Sequence, residues 1–420
     1  MTMLSRLRRR AGALAVAGCG AAILASCGSS GPLGGDLGGA GEHAGSGPAD
    51  VQVSPSNGTT YVALDTPVQV SVTSGHLDSV TLNDDVGGDP TTGTLSAQHD
   101  SWTYSGGLDS HANYTVTINA TGTNGKETTT TSNFTTLLAS QKLTTDVTPG
   151  DGETVGVGDT INLKFSSPIA DDLKAKLLQH ISVTSTPGVL GAWHWLDDNN
   201  VHFRPQNYWP TGTKVTVTAD LNGFDAGDGV WGLGNWNESF SVGDQHISEI
   251  DNTTHMMNVY QNGALIDQWP VSMGKTGFET LQGTLIVLYK QYDVKMQSCV
   301  TFGGAACVPG NANYYNEDVY YDTAISTTGF FIHAAPWDIA DQGVDNVSHG
   351  CVNLSTARAT TFFNWSQPGD VVIITNTGNE ATYASGEGDW QIPFAQYANT
   401  AGAGTINTGA GAAAQPGNAG

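Results

Sequence analysis

Two short stretches of the chain hold the side chains best suited to chemistry. One is Phe331-Ile-His333-Ala-Ala-Pro-Trp337; the other is Ser348-His349-Gly350-Cys351-Val-Asn353-Leu354. A thiol attacks a carbonyl as its thiolate, so it needs a base or a cation beside it to ionise near neutral pH. His333 ends an apolar strand 18 residues before Cys351, which leaves room for one loop to return the chain to that strand end. His349 stands two residues before the thiol. Gly350 lets the backbone approach a ligand closely. Consecutive N–H groups in such a turn can point at an oxyanion as it develops, which strongly favours acyl transfer. On residue types alone, one Cys near two His fits acyl transfer, a metal site or a structural cluster.

The elements that must position these residues begin near Asp244. Met257 to Ile266 reads as two apolar runs around Asn262-Gly263, a strong hairpin signal. Short strands are expected at 284–288, 329–332 and 371–374, and one short helix from Ser355, its N-cap, to Trp365. Residues 244–378 therefore read as a mainly β domain with a little helix. Residues 379–399 contain Gly388-Asp-Trp-Gln-Ile-Pro-Phe394, too apolar for a free tail, and are expected to pack back on a domain. Residues 400–420 are rich in Gly, Ala and Asn and are expected to be disordered.

Ahead of this region lies an internal repeat. Val53-Ser-Pro-Ser-Asn-Gly-Thr-Thr matches Val147-Thr-Pro-Gly-Asp-Gly-Glu-Thr at an offset of 94, which Asp65-Thr66 and Asp159-Thr160 keep. Alternating runs follow each copy, at 68–72 and 161–165, and again at 114–118 and 214–218. Period-2 strands in a unit of this size predict two tandem immunoglobulin-like β-sandwiches, over 51–143 and 144–243, without an inter-sheet disulfide. Trp102, Trp193 and Trp195 are expected in sandwich cores, with sugar-stacking platforms as the alternative.

The N-terminus carries Arg6, Arg8, Arg9 and Arg10, then an apolar small-residue stretch from Ala11 to Leu24, too short to span a bilayer comfortably. Residues 1–26 read as a secretory signal. Leu24-Ala25-Ser26-Cys27, followed by Gly28, resembles a bacterial lipobox, which implies lipidation of Cys27 and a membrane anchor facing the cell wall. Residues 27–50 are mostly Gly, Ser, Ala and Pro and read as a flexible linker. In an exported chain Cys299 and Cys307 are candidates for a disulfide, the alternative being two unpaired loop thiols. Cys351 is then the odd thiol, which invites a reactive role. A net charge of −24 with no basic footprint beyond the first ten residues excludes a nucleic-acid binder.

Ser348-His-Gly-Cys351 with His333 at this spacing resembles the YkuD-type catalytic domain of L,D-transpeptidases, over about residues 245–378. The wider layout, with a lipobox, two immunoglobulin-like domains and a tail containing Asp-Trp-x-Ile-Pro, is similar to the actinobacterial and mycobacterial members. The resemblance implies a cysteine acyltransferase of peptidoglycan. Cys351 would be the nucleophile and His333 the base, oriented by the Ala334 carbonyl. The N–H groups of His349, Gly350 and Cys351 would form an oxyanion hole. Tyr315, Trp337 and Asn353 would contact substrate, while Ser348 and His349 fix the loop. Donor and acceptor would be stem peptides. Carbapenem-type β-lactams would acylate Cys351, and neither metal nor organic cofactor would be needed.

Two departures stand against this pattern: Ala334 where relatives often carry Ser, and Glu279-Thr-Leu-Gln-Gly283 without the usual Pro. The insertion bearing Cys299 and Cys307 either shapes a lid or stabilises a long loop. The competing readings are a zinc peptidase on His333, His349 and Cys351, a papain-like hydrolase, whose Cys should precede its His, and a non-catalytic wall-binding lipoprotein.

Overall fold

The computed structural model describes residues 47–87, 91–386, 388–399 and 402–409. The expectations for the signal, for Cys27 and for residues 28–46 and 410–420 lie outside the described residues. The protein is mainly β.

Alternation builds the first sandwich. In Val68–Val72 and Asn113–Thr121 every second residue is buried, which is the burial pattern of strands with one face on a core. Two four-stranded sheets close on Val68, Val70, Leu77, Trp102, Val116, Ile118 and Phe134. The linker expected to end at residue 50 is ordered earlier than that. Gly47 N–H donates to Thr123 Oγ1 at 2.9 Å, and the Asp50 carbonyl accepts from Thr73 N–H at 3.0 Å.

The second sandwich packs a five-stranded sheet on a four-stranded one around Ile161, Leu163, Phe165, Trp193, Phe203, Trp209 and Val217. Trp102, Trp193 and Trp195 are all buried in cores. A helix that the repeat does not announce, Asp171–Gln179, lays Leu177 and Leu178 on the second core. Its outermost strand corrects the expectation of a disordered tail: Thr405–Asn407 pairs antiparallel with Leu190–Ala192. A free sheet edge supplies backbone partners to any extended segment that reaches it, and low sequence hydrophobicity does not prevent that pairing.

In the third domain the hairpin forms as expected, Met256–Gln261 against Ala264–Pro270, with Asn262 and Gly263 both at positive φ. These strands belong to a six-stranded sheet with His246–Asp251, Val371–Thr375, Leu281–Ile286 and Asn379–Glu380. A second sheet runs Tyr289–Gln297, Asn316–Ala324, Phe331–Ala334, Val352–Leu354. The helix Thr356–Trp365 starts at Ser355, whose side chain accepts from Arg358 N–H. It buries Ala359 and Phe362 in a core shared with Val259, Trp269, Leu285, Ile332 and Val352.

The described residues between 379 and 399 lie against both the second sandwich and the third domain. Arg204, buried, sits 4.6 Å from the Trp390 ring and 4.7 Å from that of Tyr397, and donates to the Ile392 carbonyl at 2.7 Å. Asp389, with no exposed surface, accepts from Tyr397 Oη at 2.7 Å and faces His202 Nδ1 at 3.1 Å. On the other side the Gln391 amide donates to the Thr284 carbonyl, and Thr327 N–H to the Ser385 carbonyl. Asp389→Ala removes one of two partners from the Tyr397 hydroxyl and one from the His202 ring, which keep the His202 carbonyl and the Tyr383 hydroxyl, and leaves a small cavity, so it should cost about 1 kcal/mol. Denaturant unfolding followed by tryptophan fluorescence, with limited proteolysis of 379–399, would check this. Unchanged unfolding and unchanged protection would mean that Asp389 holds nothing.

Candidate active site

The two chemical stretches meet in one parallel strand pair. Ile332 lies opposite Val352, His333 opposite Asn353 and Ala334 opposite Leu354. Paired residues point to the same side of a sheet. Ile332 and Val352 face the apolar core, so His333 and Asn353 turn to the opposite face. Cys351, one residue before the second strand, follows by alternation on the side of His333.

His333 is 4% exposed, and its Nδ1 lies 3.0 Å from the Ala334 carbonyl. A carbonyl can only accept, so Nδ1 carries the proton and Nε2 is left with a lone pair. Burial pulls His333 down to about 4, with the Ala334 carbonyl opposing the shift. Burial also pushes the Cys351 thiol up to about 12. The Phe331 N–H opposes that shift, and the nearby Asp322 carboxyl adds to it. At neutral pH these two shifts leave the thiol and the imidazole of His333 neutral.

The loop before the thiol is braced by one hydroxyl. Ser348 Oγ donates to the Cys351 carbonyl at 2.7 Å and accepts from Gly350 N–H at 3.0 Å. This corrects the expected oxyanion hole, because the Gly350 amide is already taken. The amides of His349 and Cys351 have no acceptor among the described residues. Gly350 instead supplies conformation: its φ is +126°, and a Cβ there would meet the Phe330 ring at 2.8 Å.

Asn353 is a second correction. It was expected to line the substrate pocket, but it is 3% exposed and its amide donates to Asp338 Oδ2, which ties down the loop after Trp337. Ala334 acts through its carbonyl, while its methyl joins the core. Trp337 is 54% exposed, with its ring 6.3 Å from that of His333.

Tyr315 stands on the other side of the loop, its ring 5.0 Å from His349, and its hydroxyl donates to Thr301 Oγ1 at 3.2 Å. His349 is walled by Phe278 at 4.9 Å and Phe302 at 6.2 Å, and its Nε2 faces Lys275 Nζ at 3.0 Å. Burial, then the Lys275 charge, pulls His349 down to about 4. Cys299 and Cys307 are joined in a disulfide. The nine-residue loop it closes carries Phe302 against Phe278 and His349, so the insertion forms part of the site wall.

Sequence reasoning missed Lys275, Phe278, Phe302, Asp322 and Asp338. Asp322 is buried with neither carboxyl oxygen partnered, and burial with the Asp293 charge pushes it up to about 7. Lys275 had a usable signal in Gly274-Lys-Thr-Gly277, two glycines flanking a cation between strands. For the metal reading, Nδ1 of His333 is committed to a carbonyl and Nε2 of His349 to an ammonium.

Comparison with known proteins places these features in a family. A model of the L,D-transpeptidase catalytic domain matches residues 245–374, and one of the bacterial Ig domain matches 59–225, reaching across both sandwiches. The chain is 36% identical over 346 residues to L,D-transpeptidase 2 of Mycobacterium tuberculosis (strain CDC 1551 / Oshkosh), covering 82% of this chain and 83% of that one. It is 30% identical over 348 residues to L,D-transpeptidase 5 of Mycobacterium tuberculosis (strain ATCC 25618 / H37Rv), covering 81% and 74%. A solved structure of the LD transpeptidase LdtMt1 in complex with imipenem aligns with a TM-score of 0.47 at 27% identity, over 56% of this chain and 99% of that one.

With the thiol up at about 12, alkylation of Cys351 by iodoacetamide in the empty protein should rise about tenfold per pH unit from pH 6 to 9, following the thiolate fraction. A flat, fast rate from pH 5 to 8 would mean a preformed thiolate–imidazolium pair, and the neutral resting state would be wrong.

Proposed function

Because the chain belongs to the L,D-transpeptidase family, we propose that Cys351 makes a thioester with the third residue of a peptidoglycan tetrapeptide stem, releases D-alanine, and passes the acyl group to an amine of a second stem. The product is a crosslink between third residues. One observation carries this reading: the Ala334 carbonyl pins Nδ1–H of His333, which leaves Nε2 as an acceptor on the sheet face where the thiol emerges.

The chemistry follows from that tautomer. As sulfur closes on the carbonyl carbon, the thiol proton passes to Nε2 of His333, so the thiolate need not exist beforehand. The carbonyl oxygen gathers charge, and the amides of His349 and Cys351 are the donors free to receive it. When the C–N bond breaks, His333 returns its proton to the departing amine of D-alanine. The acceptor amine then attacks the thioester and gives a proton to Nε2, and the sulfur leaves and recovers it. Acyl transfer of this kind uses no metal or organic cofactor. Water in place of the amine would give a carboxypeptidase.

A carbapenem presents the same electrophile in a strained ring. Opening that ring keeps the amine tethered, so the thioester it leaves should persist on Cys351. Export with lipidation at Cys27 would hold the enzyme on the outer face of the cytoplasmic membrane, within reach of the wall, with the two sandwiches setting its distance. Cys27→Ser should move the full chain from the detergent phase to the aqueous phase on detergent partitioning. An unchanged partition would remove Cys27 as the anchor.

Intact mass spectrometry of the full chain with a carbapenem should show one adduct on the wild type and none on Cys351→Ala. His333→Ala should slow acylation by roughly 100-fold or more. A folded wild type that forms no adduct and releases no D-alanine from a tetrapeptide would falsify the catalytic reading and leave a wall-binding lipoprotein.

A further inference from the structure

A cation stands beside the Ser348–Cys351 loop with no anion to answer it. Lys275 Nζ lies 3.0 Å from His349 Nε2, 3.5 Å from the Ala312 carbonyl and 5.3 Å from the centre of the Phe278 ring. The carbonyl and the ring are neutral, and His349, pulled down to about 4, is neutral as well. Among the described residues Lys275 enters no ion pair. What sets Lys275 apart from the other lysines is its place, held against His349 of the Ser348–Cys351 loop.

The backbone holds this ammonium in place. Lys275 N–H donates to the Ser348 carbonyl at 3.0 Å, and Ser348 N–H to the Met273 carbonyl at 3.0 Å. Gly274, between them, has no room for a side chain: a Cβ there would lie 2.0 Å from the Phe278 carbonyl oxygen. Lys275 is thus stitched to the loop that presents the thiol at Ser348, three residues ahead of Cys351. Phe278, Phe302 and Tyr315 gather round His349 on the same side, and an apolar wall strengthens any charge pair formed beside it.

We propose that Lys275 is the binding cation for the terminal carboxylate of the donor stem, the carboxylate carried by the D-alanine that leaves. This rests on the donor reading above. In a tetrapeptide that carboxylate carbon is three bonds from the carbonyl that Cys351 attacks, so an ammonium anchored to the thiol loop is suitably placed to receive it. A fifth residue would carry the carboxylate about 3.5 Å further along the stem and out of register, so Lys275 also selects for donors of four residues. When the C–N bond breaks the anion departs with its residue, which leaves the site open to the acceptor.

The test compares two tetrapeptide donors, one ending in D-alanine and one in its carboxamide, on the full chain. Wild type should favour the free acid by roughly tenfold in kcat/KM, as expected for a charge-assisted hydrogen bond, with the difference mainly in KM. Lys275→Gln should bring the preference close to one, and Lys275→Arg should restore most of it. A wild type that takes both donors equally overturns the inference without any variant. So does a Lys275→Gln loss that falls on both donors alike. Turnover of neither donor by folded wild type would count against the transpeptidase reading itself.

Discussion

The site depends on one parallel pairing, Phe331–Ala334 beside Val352–Leu354. Parallel neighbours need a crossover to connect them, and here that crossover is the loop 335–351. The loop is therefore under two demands: it must return the chain to the same end of the strand, and it must stop with a thiol on the face opposite the core. Its contacts meet both. Asp338 takes the Asn353 amide and the Gln342 amide, which fixes the outgoing half. Ser348 fixes the returning half by bonding the Cys351 carbonyl and the Gly350 amide. A slip of one residue in this register would turn His333 into the core and Ile332 onto the reactive face.

The same burial that secures the geometry sets the electrostatics. Low-dielectric surroundings disfavour the charged form of each group, and so the thiol rises while both imidazoles fall. A site built this way stores no ion pair. On the mechanism proposed above its charges arise during reaction, when the thiol proton would move to His333 and negative charge would pass from sulfur to the substrate oxygen. Oriented amides suit that sequence better than a standing cation at the sulfur, because they cost no desolvation while the site waits.

Much of this was legible in the sequence, and the rest was not, for physical reasons. The Ser-His-Gly-Cys run, the hairpin at Asn262-Gly263 and the helix capped by Ser355 are local signals, and the structure places each where its spacing put it. The repeat at an offset of 94 likewise resolves into two sandwich cores. What escaped depended on contacts between distant residues. Asn353 reads as a pocket residue until Asp338 is seen to claim its amide. The Gly350 amide looks free until Ser348 folds back on it. Thr405–Asn407 looks like tail composition, and becomes a strand because the second sandwich leaves an edge at Leu190–Ala192 for it to join.

The contacts between domains bear on what the sandwiches do. Gly156 N–H donates to the Pro368 carbonyl and Gly158 N–H to the Gly369 carbonyl, both at 2.8 Å or less. A Cβ on Gly156 would lie 2.2 Å from Asp370 N, so the two backbones touch with no side chain between them. Val371, on a central strand of the catalytic domain, lies in the core of the second sandwich, and Trp390 donates across the seam to the Gly158 carbonyl. The strand after Pro368 therefore serves two cores at once. Val371 faces the sandwich while its neighbour Val372 faces the catalytic core. A simple spacer would need only a linker at this junction. Glycine-mediated backbone contact, a shared strand and the contacts of Trp390 and Gln391 make the second sandwich part of the scaffold that supports the six-stranded sheet, whose Leu285 and Val372 share a core with Ile332 and Val352 of the strand pair beside the thiol.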